Sequence, residues 1–427
     1  MRATTASTSD LRQPFSGPEA ALPGAPRRRR ILVLCPEPPA PPTWGFALRV
    51  YHLARELARR NDVSMLTYDS GDESRDWRHL EELFRVHRVA APADARRRRR
   101  AQLRSLAGLR SFHLGSLLSP EMQRAIDELA ARESFDVIQV ESSQMAGFDL
   151  PVGPALVLDE HNVEHDLIRG IAAVETSLPR KLYQLLEWRK VRREEIDAWR
   201  RFDGCVVTSG EDERQVRHRA PATPTRVVPN AVDLGHFTPA GGDVDPDSII
   251  FVGSINYRPN TDAVLYFARR ILPLVRQSRP QATFVVVGQG APEAVQRLDG
   301  PGIRVIGAVA DVRPHLARAA VVVVPLRMGG GTRLKVLEGL AMGKALVSTS
   351  LGCEGIDVDA GRHLLVADDP ERFAAQVIRL MGDPGLRRDL GAAGRDLVER
   401  CYGWPAVVAE LEAFHDQLVG AARRQRA

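Results

Sequence analysis

Cysteine is scarce in this chain of 427 residues: there are four, Cys35, Cys205, Cys353 and Cys401, and no two stand in CxxC spacing. That excludes a disulfide scaffold and a cysteine-rich zinc module, and it fits the reduced thiols of a cytosolic protein. Long apolar runs are missing as well. No stretch approaches the ~18 residues of a membrane span. The first residues lack the apolar core of a signal peptide, and residues 1–26, rich in Ser, Thr, Pro, Ala and Gly, are expected to form a disordered lead-in. A cytoplasmic location is the resulting expectation. A spread-out basic footprint is also lacking. The net charge is +5, but nine of the 59 Lys and Arg residues sit in the runs 27–30 and 96–100, and the remainder is outnumbered by the 54 acids. Nucleic-acid binding would distribute its cations along a face or groove, so no nucleic-acid partner is expected. The two runs point either to peripheral contact with anionic lipid headgroups, at the inner face of a membrane, or to a solvated surface.

What is present is α/β patterning. At ~100–200 residues per domain, the length predicts two or three domains. The run 31–35 (ILVLC) is continuously apolar and ends in a proline-rich loop, as a buried parallel strand does. A helix over 47–60 and a strand over 63–67 complete a βαβ unit. Residues 78–135 read as helical pieces; within them 96–118 is basic and leucine-rich, fitting a membrane surface, an acceptor cleft or simply the core side of a helix pair. Further strands are predicted at 137–140, 155–158 and 204–208, with a long charged helix over 180–201. A second series, starting near Arg226, places strands at 249–252, 282–287, 303–306, 321–324 and 345–348. Residues 229–242 carry Pro, Asn and Gly and read as the linker. The expected fold is two doubly wound Rossmann-like domains, 27–225 and 226–400, facing a central cleft, with a last segment, 401–427, returning to the first. Ligands in such sheets sit outside the carboxyl ends of the strands.

The stretch 325–343, PLRMGGGTRLKVLEGLAMG, carries the most chemistry. Gly329, Gly330 and Gly331 let the backbone approach a ligand and adopt positive φ. A helix predicted to begin near Thr332 aims its free N–H groups at whatever occupies the loop. Arg333 and Lys335 add cationic donors, and the Glu338 carboxylate, one to two turns in, suits ribose hydroxyls. These are parts of a nucleotide-diphosphate site. The loop is not a Walker A motif, because no GK[ST] occurs.

This stretch resembles the donor-site signature of retaining GT-B glycosyltransferases of the family 4 type. Other stretches match in order: DEHNVE at 159–164 is similar to the histidine-bearing loop of the acceptor domain, VPNAVD at 228–233 to the linker strand, FVGSINYRPN at 251–260 to the first strand and loop of the donor domain, and HLLVADDP at 363–370 to a late strand and helix start. Residues 402–418 resemble the terminal helix that crosses back. The likeness covers roughly residues 30–418. It implies transfer of a sugar from a nucleotide-diphospho-sugar to a glycan or lipid-linked acceptor, in polysaccharide or glycoconjugate synthesis. It places His161 near the transferred sugar and Gly45 where the first loop meets the phosphates. Glu338 matches the second Glu of the E-x7-E motif, whereas Gly330 stands where the first belongs, leaving backbone amides of 329–331 to take part of its role. Ser254 and Asn260 occupy the usual Arg and Lys spacings, with Arg258 between them as a substitute. If Arg333 and Lys335 neutralise the diphosphate, neither a metal nor a cofactor is required, and the DxD-like triplets 243–245 and 357–359 are weak metal candidates. His161 and His165 also fit H-x-x-E-H, but a zinc site needs both on one helical face with a third ligand, and here the motif follows a strand. Two competing functions stay open: a GT-B epimerase acting on the nucleotide sugar alone, and a non-catalytic nucleotide-sugar-binding scaffold.

Overall fold

The computed structural model describes residues 28–42, 44–92, 101–106, 108–175, 177–239, 241–329 and 333–426. The lead-in 1–26 and the arginine run 96–100 lie outside them. The first half is built on β1 (Arg30–Cys35), β2 (Asp62–Asp69), β3 (Arg85–Ala90), β4 (Val137–Glu141), β5 (Ala155–Glu160), β6 (Gly204–Val207) and β7 (Thr225–Val227). They form one parallel sheet in the order β3-β2-β1-β4-β5-β6-β7. Side chains alternate across it as strand geometry requires. From β1, Ile31, Val33 and Cys35 enter one apolar core, while Leu32 and Leu34 enter the core on the other face. Burial on both faces is why β1 reads as an unbroken apolar run.

The second half uses β8 (Asp245–Val252), β9 (Thr283–Val287), β10 (Ile303–Gly307), β11 (Ala319–Val324), β12 (Leu346–Ser348) and β13 (Leu365–Val366). They form a second parallel sheet, β10-β9-β8-β11-β12-β13. Each half is thus a doubly wound α/β layer with its own core.

Two details differ from the sequence reading. β3, with the sequence RVHRVA, falls inside the region read as helical pieces; it is an edge strand, mostly solvent-facing, so its charges leave no apolar run. The boundary at 225/226 cuts through β7, which pairs with β6 and so belongs to the first half.

Two chain crossings join the halves. The outgoing one leaves β7 and is gripped at once by Arg49, from the helix Gly45–Ala58. Arg49 is 1% exposed. Its guanidinium donates Nη2 and Nε to the two carboxylate oxygens of Asp159 at 2.8 and 3.2 Å. Its Nη1 donates to the carbonyl of Val228 at 2.9 Å and to Asn230 Oδ1 at 3.2 Å. The returning crossing runs beside the outgoing one, with the Val232 N–H donating to the Tyr402 carbonyl at 2.9 Å. The helix Trp404–Arg426 then lays Val407, Val408, Leu411, Phe414 and Leu418 into the β1 core. Gly204 permits this approach, since a Cβ there would lie 2.6 Å from Leu418 and 2.7 Å from Phe414.

Arg49→Ala should leave Asp159 as an uncompensated buried carboxylate and cost ~3–5 kcal/mol. A shift of the first urea unfolding transition checks this, with the apolar pair Arg49→Met and Asp159→Leu expected to recover most of the loss.

Candidate active site

β4 and β5 are neighbours in register, with Glu141 beside Asp159, so their carboxyl ends bring acidic side chains together at one edge. His161 follows β5. Its Nε2 lies 2.8 Å from Glu141 Oε2, and its ring stacks on Phe46 at 4.7 Å. Gln139 Nε2 donates to the other Glu141 oxygen at 2.8 Å. Burial raises the Glu141 pKa, as does the neighbouring Asp159 charge, while His161 and Gln139 oppose the rise. The imidazole is therefore held at two places, by a carboxylate at its edge and an aromatic face beside it.

Ser142 comes next after β4 with φ 75° and ψ 145°. Among the described residues it is the one non-glycine with positive φ. Its N–H donates to the Asp159 carbonyl at 2.9 Å, and its Oγ accepts from the Gln144 N–H at 3.3 Å. This unfavoured geometry turns the chain sharply into a cavity of about 380 Å³. From the first half the cavity is lined by Gly45, Phe46, Ser142, Gln144, His161 and Glu164, and from the second by Tyr257 and Leu334. It therefore spans the gap between the halves. Burial lifts the Glu164 pKa to about 7, with His161 pulling it back.

Across the cavity, β11 runs into the glycine loop. Gly329 has φ 114°, and its carbonyl accepts from Arg333 Nη2 at 2.9 Å. The helix starts at Leu334, two residues later than the sequence suggests. Lys335 donates Nζ to Asn260 Oδ1 at 2.6 Å and sits 4.1 Å over the Phe251 ring. Gly253 makes room for it, since a Cβ there would stand 2.8 Å from Nζ. Burial lowers the Lys335 pKa to about 7, and it raises that of Glu338, three residues on, to about 7. Each opposes the other's shift.

The structure thus brings Gly45 and His161 to the cavity wall, with Arg333, Lys335 and Glu338 on the turn that carries Leu334. Gly330, Gly331 and Thr332 lie outside the described residues. Arg258 opens the helix Arg258–Tyr266 but is exposed and does not line the cavity. Asn260, at the usual lysine spacing, instead receives Lys335. The sequence reading missed Phe46, Glu141, Ser142, Gln144, Glu164 and Tyr257; of these, Glu164 and Tyr257 fell within quoted motifs.

The donor atoms of Glu141, Asp159 and His161 all lie within 4.8 Å of one another, close enough to hold a metal ion. Each already has protein partners, Arg49 on Asp159 and Gln139 and His161 on Glu141. The H-x-x-E-H pair is split: His161 turns to Glu141, and His165 Nδ1 to Glu195. Asp243, Asp245, Asp357 and Asp359 are exposed and line no part of the cavity.

Ser142→Gly should relieve the backbone and raise stability by roughly 1 kcal/mol, net of the extra freedom glycine gives the unfolded chain. Chemical denaturation compared with Ser142→Ala, which keeps the strain and loses the hydroxyl, reads the difference.

A family model described as Glycosyltransferase Family 4 matches residues 45–236, and one described as Glycosyl transferases group 1 matches residues 246–383. The D-inositol 3-phosphate glycosyltransferase of Frankia alni is 31% identical over 246 residues, 51% of this chain and 60% of that protein. The GDP-mannose-dependent monoacylated alpha-(1-6)-phosphatidylinositol monomannoside mannosyltransferase of Corynebacterium glutamicum is 27% identical over 202 residues, 42% of this chain and 52% of that protein. The matched stretch spans between about half and three fifths of the length of these relatives. In fold, sucrose-phosphate synthase from Thermosynechococcus elongatus superimposes with a TM-score of 0.70 at 19% identity, covering 92% of this chain and 100% of that one. Anabaena HepE, solved with UDP and glucose, superimposes with a TM-score of 0.63 at 13% identity, covering 91% and 99%. With a glycosyltransferase model matching each half, and two parallel sheets facing one cavity, the chain belongs to the GT-B glycosyltransferases.

Proposed function

We propose that the protein moves a sugar from a nucleotide-diphospho-sugar to a glycan or lipid-linked acceptor with retention at the anomeric carbon. The observation that carries this is the turn 333–338, where a buried Arg333, a Lys335 poised near neutrality and Glu338 follow a glycine loop beside a cavity shared with His161. Arg333 and Lys335 stabilise the leaving diphosphate electrostatically, where negative charge grows in the transition state. They supply the countercharge, so no metal or cofactor is assigned. Glu338 holds the ribose. His161, fixed by Glu141 and Phe46, hydrogen-bonds the sugar being transferred. The bond from the anomeric carbon to the phosphate oxygen breaks, and the acceptor oxygen bonds to that carbon on the same face. The acceptor proton passes to the departing phosphate. Closure of the halves excludes water and limits donor hydrolysis. HepE, solved with UDP and glucose, supports the donor class, and the corynebacterial relative, named for a phosphatidylinositol monomannoside, supports a lipid-linked acceptor.

Arg333→Ala, Lys335→Ala and Glu338→Ala should each lower transfer by roughly 10²–10³-fold with the fold intact. A thermal-shift screen of nucleotide sugars identifies the donor first, because a bound ligand raises stability by mass action. Wild-type turnover in all three variants removes the reading, and epimerised nucleotide sugar formed without acceptor would replace it with an epimerase.

The pH dependence has a definite sign. A diphosphate favours the charged form of Lys335 and raises its pKa from about 7. UDP binding is therefore expected to take up a proton above neutrality and to weaken as pH rises from 7 to ~9. Isothermal titration in buffers of different ionisation enthalpy reads the proton number. Lys335→Met should remove the lysine's share of the uptake, and Glu338→Gln the share of the neighbouring carboxyl, which also titrates near 7.

A further inference from the structure

Among the described residues ten large apolar side chains are exposed, and seven of them, Leu103, Leu106, Leu109, Ile171, Leu178, Leu182 and Leu185, fall on three adjoining elements. The helices Glu164–Val174 and Leu178–Arg201 pack against each other as a hairpin. The segment around Ser105 lies along the second of them, held by the Lys190 ammonium on the Ser105 carbonyl and by the N–H groups of Ser111 and Phe112 donating to Glu194 and Glu187 at 2.8 and 2.7 Å. Leu178, Leu182 and Leu185 stand at helical spacing and form one stripe. Arg189 and Arg192 continue that stripe, and both are exposed.

The exposed charge around these leucines is predominantly positive. Arg104, Arg110, Arg180, Arg189, Arg192 and Arg193 are exposed. None forms an ion pair among the described residues. Elsewhere on the surface exposed arginines meet an acid a turn away, as in Arg124–Glu121, Arg297–Glu293 and Arg400–Asp396. Residues 101–106, 108–110 and 177–193 include one acid, Glu187, and it is buried; the hairpin's other acids are Glu164, Asp166, Glu175, Glu194, Glu195 and Asp197, of which Asp197 alone is exposed. Exposed leucines ringed by unpaired arginines fit a surface that is apolar below and anionic above. A second copy of the chain would set the arginines against each other.

We propose that this hairpin and the segment beside it dock on an anionic lipid bilayer. The leucines enter the boundary between headgroups and acyl chains, and the arginines pair with lipid phosphates. The described helices include none long and apolar enough to cross a membrane, so the contact is peripheral. The placement serves the site: the helix Glu164–Val174 starts at the cavity and, at ~1.5 Å per residue, carries its far end ~16 Å away. An acceptor anchored in the bilayer is thereby kept within reach of His161. This last clause rests on the glycosyl-transfer reading; the docking does not.

Co-sedimentation with sucrose-loaded vesicles tests it. The full chain should pellet with phosphatidylglycerol–phosphatidylcholine vesicles at low salt, release at high salt, and bind pure phosphatidylcholine at least roughly tenfold more weakly. Leu178→Ser/Leu182→Ser/Leu185→Ser should lose roughly tenfold or more in partition, and so should Arg189→Glu/Arg193→Glu. Circular dichroism and the UDP-induced thermal shift, expected unchanged, report folding and the donor site. Absence of wild-type binding at low salt, equal binding by both variants, or a wild-type dimer that the leucine variant dissociates without altering vesicle binding would each overturn the proposal. Vesicle binding is read without turnover. A protein that binds vesicles but no nucleotide sugar therefore sinks the transferase reading alone, and the reverse result sinks this one alone.

Discussion

The buried contact of Arg49 with Asp159 is the constraint on which the geometry of this molecule depends. A guanidinium and a carboxylate both withdrawn from water are stable only if their remaining hydrogen-bonding capacity is met. Arg49 meets its own by holding the Val228 carbonyl and Asn230, the first residues of the linker. Three separate pieces therefore converge on one side chain: the helix after β1, the end of β5, and the start of the passage to the second half. The end of β5 also positions His161, and Asn230 lines the cavity. Fixing the linker and shaping the cavity wall are thus a single act of packing.

Opposite that wall, the design relies on desolvation. Lys335 and Glu338 stand three residues apart on one helix, each pushed toward neutrality by burial and each moderating the other. Asn260 and the Phe251 ring keep the ammonium pointed inward. Burial makes such a pair costly, and the mutual attraction offsets part of that cost. Ser142, with positive φ, lines the gap from the first half, and Gly329, with φ 114°, precedes the helix whose Leu334 lines it from the second.

Much of this was legible in the residues, for reasons that also explain what was not. Buried parallel strands announce themselves as apolar runs, so β1 and β11 were plain, and the glycine loop before Arg333 marked a close backbone approach. Edge strands carry no such signal: β3 looks like charged helix, and β7 is three residues long. A carboxylate at a strand end looks like any other, so Glu141 gained meaning only when register set it beside Asp159 and His161. The turn at Ser142 is a backbone property with no compositional trace. Arg258, suggested by spacing as a substitute phosphate ligand, stands exposed at the start of its helix.

The returning helix has a consequence for biogenesis. Phe414 and Leu418 close the core against β1 and Gly204, yet they lie almost four hundred residues downstream of that first strand. During translation the amino-terminal half emerges with an open hydrophobic trough and must wait for the carboxyl-terminal half to be made before it can be sealed. Synthesis at ~5–20 residues per second makes that wait tens of seconds. A nascent chain with such a trough is a natural client for chaperones.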